Sequence, residues 1–281
     1  MAKRHQTFRQ LHLSGCFALP NPWDIGTARY LQHLGFKALA TTSAGFAFSR
    51  GLPDGSVGLD DMLAHIREIV EATDLPVNAD FENGYADDPA DVTKDVRRCI
   101  QTGVSGISIE DTKGHAGPAS LYEISHAVER LRAAGEAVSG TEVMLIGRAE
   151  GFLVGETNID EIIRRLNAYA AAGADCLYAP GVNKREHIAA IVAAVAPKPV
   201  NVLISAAGGL TMDDAAALGV RRVSVGGALA RVAWGGFVRA ATQLARSGRF
   251  DEFAIAEPHG ELQEFFRTHS SSQVQSKDPV V

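Results

Sequence analysis

The chain has 281 residues, 46% of them hydrophobic and 21% charged, with a formal net charge of −6. This composition fits a globular protein, and the acidic balance argues against a nucleic-acid partner, since no basic run exceeds Lys3-Arg4-His5. No apolar stretch reaches the ~18 residues of a membrane span. The opening residues lack a signal-peptide core, and Cys16, Cys99 and Cys176 are too widely spaced for a disulfide frame or zinc site, so a cytoplasmic location is expected.

In chain order, a short leading helix is expected over 3–14. Strand and helix patterns then alternate: strand 16–22 and helix 24–34, strand 37–43 and helix 60–73, strand 76–82 and helix 88–102, strand 106–110 and helix 121–138. The series continues with strand 143–148 and helix 158–172, strand 176–180 and helix 184–195, strand 199–205 and helix 211–218, strand 222–226 and helix 228–247. The strands read as nearly continuous apolar runs, as expected when both faces are covered. Gly35, Gly103, Gly173 and Gly219 stand between a helix and a strand, where a helix-terminating glycine belongs. Eight such units in this length are the signature of an α/β fold of the (β/α)8 TIM barrel type. A doubly wound open sheet is the alternative, although it usually has fewer strands. An extra C-terminal helix is expected over 251–267, carrying Phe253, Ile255, Leu262, Phe265 and Phe266. The domain reading is therefore one barrel over 1–267 and a disordered polar tail over 268–281.

The chemistry-bearing residues collect at the carboxyl ends of these strands. Asp80-Phe81-Glu82-Asn83-Gly84-Tyr85 follows the apolar run 75–79. Residues two apart in a strand share a face, and two acids on one buried face repel each other and lose hydration. A hard divalent cation such as Mg²⁺ would relieve both problems; ordinary solvated acids at a strand end are the competing reading. Glu110-Asp111 ends the next strand, and Arg148-Ala149-Glu150 the one after. Parallel barrels place their chemistry at that end. Thr41-Thr42-Ser43-Ala44-Gly45 ends the second strand, where small residues let backbone N–H groups approach an anion and Ser43 adds a hydroxyl. Three acids beside a serine and an arginine suit a metal-bound 2-oxo acid. Gly208-Gly209 and Gly226-Gly227 end strands seven and eight, where many barrels bind phosphate. That rival reading leaves the acids unexplained.

These segments carry a resemblance. Asn21-Pro22-Trp23-Asp24, Thr42-Ser43-Ala44-Gly45, Gly51-Leu52-Pro53-Asp54 and the Asp80–Tyr85 stretch resemble motifs of the isocitrate lyase/phosphoenolpyruvate mutase superfamily, its phosphoenolpyruvate mutase-like branch in particular. So do Ile109-Glu110-Asp111, Arg148-Ala149-Glu150-Gly151-Phe152, Gly173-Ala174-Asp175 with Pro180-Gly181, and Gly219-Val220-Arg221-Arg222-Val223-Ser224. The resemblance spans roughly residues 15–245. It implies a Mg²⁺-dependent (or Mn²⁺-dependent) lyase that cleaves a C–C bond of a small 2-oxo or 2-hydroxy carboxylic acid, by retro-aldol or retro-Claisen cleavage or by decarboxylation. It also implies Asp80 as direct metal ligand and Glu82 and Glu110 as ligands through water. Ser43 with the amides of Ala44 and Gly45 would hold the substrate carboxylate, Arg148 an anionic substrate oxygen, and Asp54 would lie near the reacting end. Homo-oligomers, tetramers with exchanged C-terminal helices, are implied as well.

The chain also departs from the pattern. The loop Asp111-Thr112-Lys113-Gly114-His115-Ala116-Gly117-Pro118 has no cysteine of the kind isocitrate and methylisocitrate lyases use as acid/base, which argues against those two activities. It is short and lacks the asparagine of phosphonopyruvate-processing members. A phosphonopyruvate hydrolase or mutase, and a barrel that only binds an oxo acid, remain as alternatives. His115 is a candidate acid/base or a solvated loop residue, and Asp24 is expected to cap a helix.

Overall fold

The structure, a computed structural model, describes residues 2–114 and 120–269. The chain divides into two compact units, residues 1–229 and 230–281, where the sequence reading expects one domain over 1–267. In the first unit, α1 (Ala2–Leu11) precedes an alternation of strands and helices. Its first half comprises β1 (Phe17–Leu19), α2 (Ile25–His33), β2 (Leu39–Ala40), α3 (Ser43–Ser49), α4 (Leu59–Ala72), β3 (Val77–Asp80), α5 (Pro89–Ile100) and β4 (Gly106–Glu110). The second half comprises α6 (Ile124–Val138), β5 (Met144–Arg148), α7 (Ile159–Ala171), β6 (Cys176–Tyr178), α8 (Arg185–Val195), β7 (Val200–Leu203), α9 (Met212–Ala217) and β8 (Arg222–Ser224). Helix α10 (Ala228–Ser247) begins here and runs into the second unit. Each of the eight expected strands is present; β4 spans the expected 106–110 and the other seven are shorter than their apolar runs.

All eight strands are parallel, in the order β1-β8-β7-β6-β5-β4-β3-β2. The Ala40 N–H donates to the Pro20 carbonyl across the remaining seam, at 3.0 Å. This is a TIM barrel, with one core between sheet and helices and a smaller one inside the barrel. Phe8 of α1, fully buried, fills the barrel floor with Leu19, Met144, Ile146 and Cys176. Above that apolar layer the inward side chains turn polar. Arg222 Nε donates to Asn201 Oδ1 at 2.9 Å, Asn201 Nδ2 to Ser224 Oγ at 3.0 Å, and Asn78 Nδ2 to Ser108 Oγ at 2.9 Å. Strand alternation then lifts the next inward residues, Asp80, Glu110 and Arg148, to the carboxyl-terminal rim.

In the second unit, Asp251–Ile255 form a single 3-10 turn, and α11 (His259–His269) follows Pro258. The single helix expected over 251–267 is therefore two elements. Pro258 has no N–H to donate, and the residue before a proline is steered out of helical conformation. Among the described residues no helix is long and apolar enough to cross a membrane. The expected tail lies, apart from Thr268 and His269, outside the described residues.

Candidate active site

The site begins with the strand ends. Asn21, just past β1, ties three strand ends together: its amide donates to Thr41 O at 2.8 Å and its carbonyl accepts from the N–H groups of Val225 and Gly226. Thr42 caps α3, its hydroxyl accepting the Gly45 N–H at 3.2 Å. That seven-residue helix is a feature sequence reading left in a loop, because its Ser and Gly content masks it. Its first residue, Ser43, donates from both N and Oγ to Asp80 Oδ2, at 3.0 and 3.1 Å. The amide of Gly45 is thus already committed to a cap, and both donors of Ser43 face the Asp80 carboxylate.

Arg148, at the end of β5, stands at the centre of the rim. Nη1 lies 2.6 Å from Asp80 Oδ1, Nη2 3.2 Å from Glu110 Oε2 and Nε 2.9 Å from Glu150 Oε1. The guanidinium also lies over the Tyr178 ring, 5.1 Å from its centre. Burial alone would favour a neutral arginine, but three carboxylates hold it firmly charged. Burial raises the Glu150 carboxyl against the pull of Arg148.

Glu82 departs from its expected place. β3 ends at Asp80, so the two-residue alternation stops there; Glu82 has φ +45 and Tyr85 φ +61, both in the left-handed region. The turn still brings Glu82 under the rim, where it is buried and accepts the Tyr85 hydroxyl at 2.9 Å. Burial, with the negative charges of Asp80, Glu110 and Asp54 nearby, pushes its carboxyl up to about 8 against that hydrogen bond. The turn is braced from below by Arg130, which sequence reading does not single out. Its guanidinium donates to the carbonyls of Asn83 and Ala86 and stacks 4.2 Å from the Tyr122 ring centre. Asp111 is structural: it accepts from the Glu150 N–H, the Arg165 guanidinium and the Tyr169 hydroxyl.

A cavity of about 170 Å³ opens above the polar layer, lined by Ser43, Ala44, Asp54, Asp80, Arg148 and Arg222, among others. Asp54 reaches it from the loop before α4. Arg222 is a fully buried cation that donates to two neutral amides, Asn201 and Asn78. Its place in the Gly219–Ser224 motif was the available signal. Asp24 is an N-cap with a complete capping box. Lys113 pairs through its backbone with Ser120, closing the stem of its loop, and His115 lies outside the described residues.

Among the described residues no three acid, histidine or cysteine side chains form a ready-made metal cage. The reason is local: the Arg148 guanidinium bridges Asp80 and Glu110. The donor chemistry nonetheless fits a hard divalent ion. Asp80, Glu82, Glu110 and Glu150 gather four carboxyl groups around one guanidinium, the oxygen donors that a hard divalent ion takes.

A (β/α)8 barrel with a buried acid–arginine cluster at its carboxyl-terminal face, over a small polar cavity, is the class these features define. Comparison with known proteins places it within that class. The phosphoenolpyruvate phosphomutase family profile matches residues 8–245. A structure from Burkholderia cenocepacia J2315, assigned no more closely than lyase/mutase, superposes with a TM-score of 0.90 at 47% identity, covering 95% of this chain and 97% of that one. A structure of oxaloacetate acetylhydrolase with its product oxalate superposes with a TM-score of 0.84 at 27% identity, covering 95% and 96%. The oxaloacetate decarboxylase of Paraburkholderia xenovorans is 28% identical over 79% of this chain and 74% of its own. The chain belongs to the phosphoenolpyruvate phosphomutase family, within the isocitrate lyase/phosphoenolpyruvate mutase superfamily.

Proposed function

We propose that this chain is a divalent-metal-dependent lyase that breaks a C–C bond of a small 2-oxo or 2-hydroxy carboxylic acid. The observation that carries the reading is the guanidinium of Arg148 held among Asp80, Glu110 and Glu150 at the mouth of a cavity sized for a few carbons. Relatives that act on oxaloacetate support it. Asp80, Glu82 and Glu110 would hold Mg²⁺ or Mn²⁺, which when bound supplies Lewis-acid polarisation of the substrate oxygens.

The chain's own residues do the rest. Arg148 binds an anionic substrate oxygen and stabilises the negative charge that develops as the bond breaks; Glu150 holds its Nε, while Nη1 and Nη2 would turn from Asp80 and Glu110 to the substrate once a metal takes those carboxylates. Ser43 and Ala44 line the cavity from the start of α3, and Ser43, whose N and Oγ face Asp80, would turn its donors to the substrate carboxylate once a metal takes Asp80. Asp54, which lines the cavity, would exchange a proton with the departing fragment. The buried floor of Asn78, Ser108 and Arg222 keeps the cavity polar while Leu19 and Ala40 limit its depth.

Membership of the phosphoenolpyruvate phosphomutase family also supports a second reading, P–C bond chemistry on phosphonopyruvate. One assay separates the two: product formation from oxaloacetate, 2-alkylmalates and phosphonopyruvate with Mg²⁺. Turnover of a carbon acid supports the lyase; turnover of phosphonopyruvate alone supports the second reading. Tight oxalate binding without any turnover would leave a binding barrel.

A further inference from the structure

The lyase chemistry makes no use of the charge on Arg222. This residue opens β8 inside the barrel, is only 2% exposed, and lines the catalytic cavity from the polar layer above the Phe8 plug. Its Nε donates to Asn201 Oδ1 at 2.9 Å and its Nη1 to Asn78 Oδ1 at 3.4 Å. A guanidinium only donates, so both amides turn their oxygens to it and their nitrogens away. Those nitrogens donate to Ser224 Oγ at 3.0 Å and to Ser108 Oγ at 2.9 Å. Ser108 also lines the cavity, and because it accepts from Asn78 its own hydroxyl proton is left to donate. The layer is therefore oriented around one positive charge and presents donors to the cavity.

Among the described residues no carboxylate pairs with Arg222. The groups that act on its charge are Cys176, Tyr178 and Arg148, and Arg148 repels it. Burial pushes the Cys176 thiol up and the Tyr178 phenol up to about 12, so neither is an anion. On the floor side, burial and the charge of Arg222 hold His12 neutral. Arg148, by contrast, is held by three carboxylates. A buried cation with no anion beside it is costly, and an anion entering the cavity would offset that cost.

We infer that Arg222 and Ser108 form a second anion subsite, on the floor of the catalytic cavity, for a carboxylate at the end of the substrate far from its metal-bound head. The inference rests on the lyase reading and narrows its substrate to a diacid. The head would sit among Asp80, Arg148 and Ser43 at the rim. Asn78 lies two residues below Asp80 on β3, roughly 7 Å at the rise of a strand, so the span between the two ends suits a short diacid. A neutral substituent would leave Arg222 buried and unpaired, whereas a carboxylate would meet its guanidinium in a charge-assisted hydrogen bond.

Calorimetric titration of the full chain in Mg²⁺ buffer with malate, with 2-hydroxyglutarate and with the far-end amide of each tests this. Acid and amide share a shape and differ in the charge at that end. At least one of the two diacids should bind about tenfold or more tighter than its amide. Arg222→Met should bring that pair within about twofold, because the preference goes with the guanidinium, whereas loss of a merely structural arginine would weaken acid and amide together. Arg222→Lys, which keeps a charge on the floor, should restore part of the preference. Equal binding within both pairs on the natural chain, a readout that needs no variant to fold, would overturn the subsite. A preference that survives Arg222→Met would overturn it too. Oxalate separates the two readings: oxalate binding beside equal pairs sinks the subsite and leaves the lyase reading intact. If neither oxalate nor either diacid binds, the lyase reading falls and takes the subsite with it.

Discussion

At the scale of the residue, Arg148 makes three separate contacts with three carboxylates from one planar group. A lysine keeps the charge and loses the fork, so Arg148→Lys should lower kcat/KM on the order of 10²-fold or more. A change under about threefold, measured on a folded variant, would make Arg148 structural. Much of this site is legible in the sequence because its residues sit at strand ends, where alternation and parallel-barrel logic apply. Asp80, Glu110 and Arg148 meet at the rim for that reason, and Ser43 and Asp54 border the same cavity. Glu82 shows where the logic stops: spacing of two means one face only while the strand lasts, and β3 ends at Asp80. Arg130 and Arg222 are hidden for another reason. Their partners are carbonyls and amides far along the chain, 44 residues away at Ala86 and 144 at Asn78, and no local spacing encodes such pairs.

At the scale of the element, the alternation of apolar runs and helical patterns gives every strand of the barrel, because burial on both faces leaves a strong signal. The strands' lengths are not encoded that way; the apolar run continues into loops that pack on the same core. Helix α1 illustrates a tertiary role without a sequence signature. It reads as a polar helix, with Phe8 its one buried residue. That ring seats against Gly106, where a Cβ would meet Phe8 Cε1 at 2.7 Å and Asn78 Oδ1 at 2.6 Å. Gly106→Ala must move both the floor plug and the amide that holds Ser108. It should destabilise the protein by about 1–3 kcal/mol, read as a lower urea midpoint with an unchanged slope. An unchanged midpoint would mean that α1 gives way freely and does not plug the barrel.

At the scale of the whole molecule, two buried histidines tie stability to pH. Burial lowers His12 to about 3 and His65 to about 4, from an ordinary 6.5. Both are neutral in the fold and gain a proton on unfolding below 6.5. Their contribution is therefore complete above pH 6.5 and is lost as pH falls toward 4 and 3. Each should weaken folding by up to about 1.4 kcal/mol per pH unit in that window. His65 stacks on Phe46, ring centres 3.8 Å apart. His65→Phe should flatten the fall in urea midpoint between pH 6.5 and 4.5; an unaltered slope would contradict the assignment.

The second unit exposes Val232, Phe237, Phe250, Phe253, Ile255 and Phe266. A run of that kind marks an interface, and we propose that a second copy of the chain covers it, in a homo-oligomer that is most simply a tetramer. Truncation after Gly248 should give smaller or aggregating species in sedimentation. A full-length monomer at micromolar concentration, or a truncated chain that assembles fully, would contradict this.

The central claim is that the carboxylates around Arg148 bind an oxo acid together with a divalent metal. Calorimetric titration of oxalate tests it most directly, with Mg²⁺ and with excess chelator, on the natural chain and on Asp80→Ala. The account predicts binding with Mg²⁺ that disappears in chelator and in the variant. Equal oxalate affinity with and without the metal would contradict it.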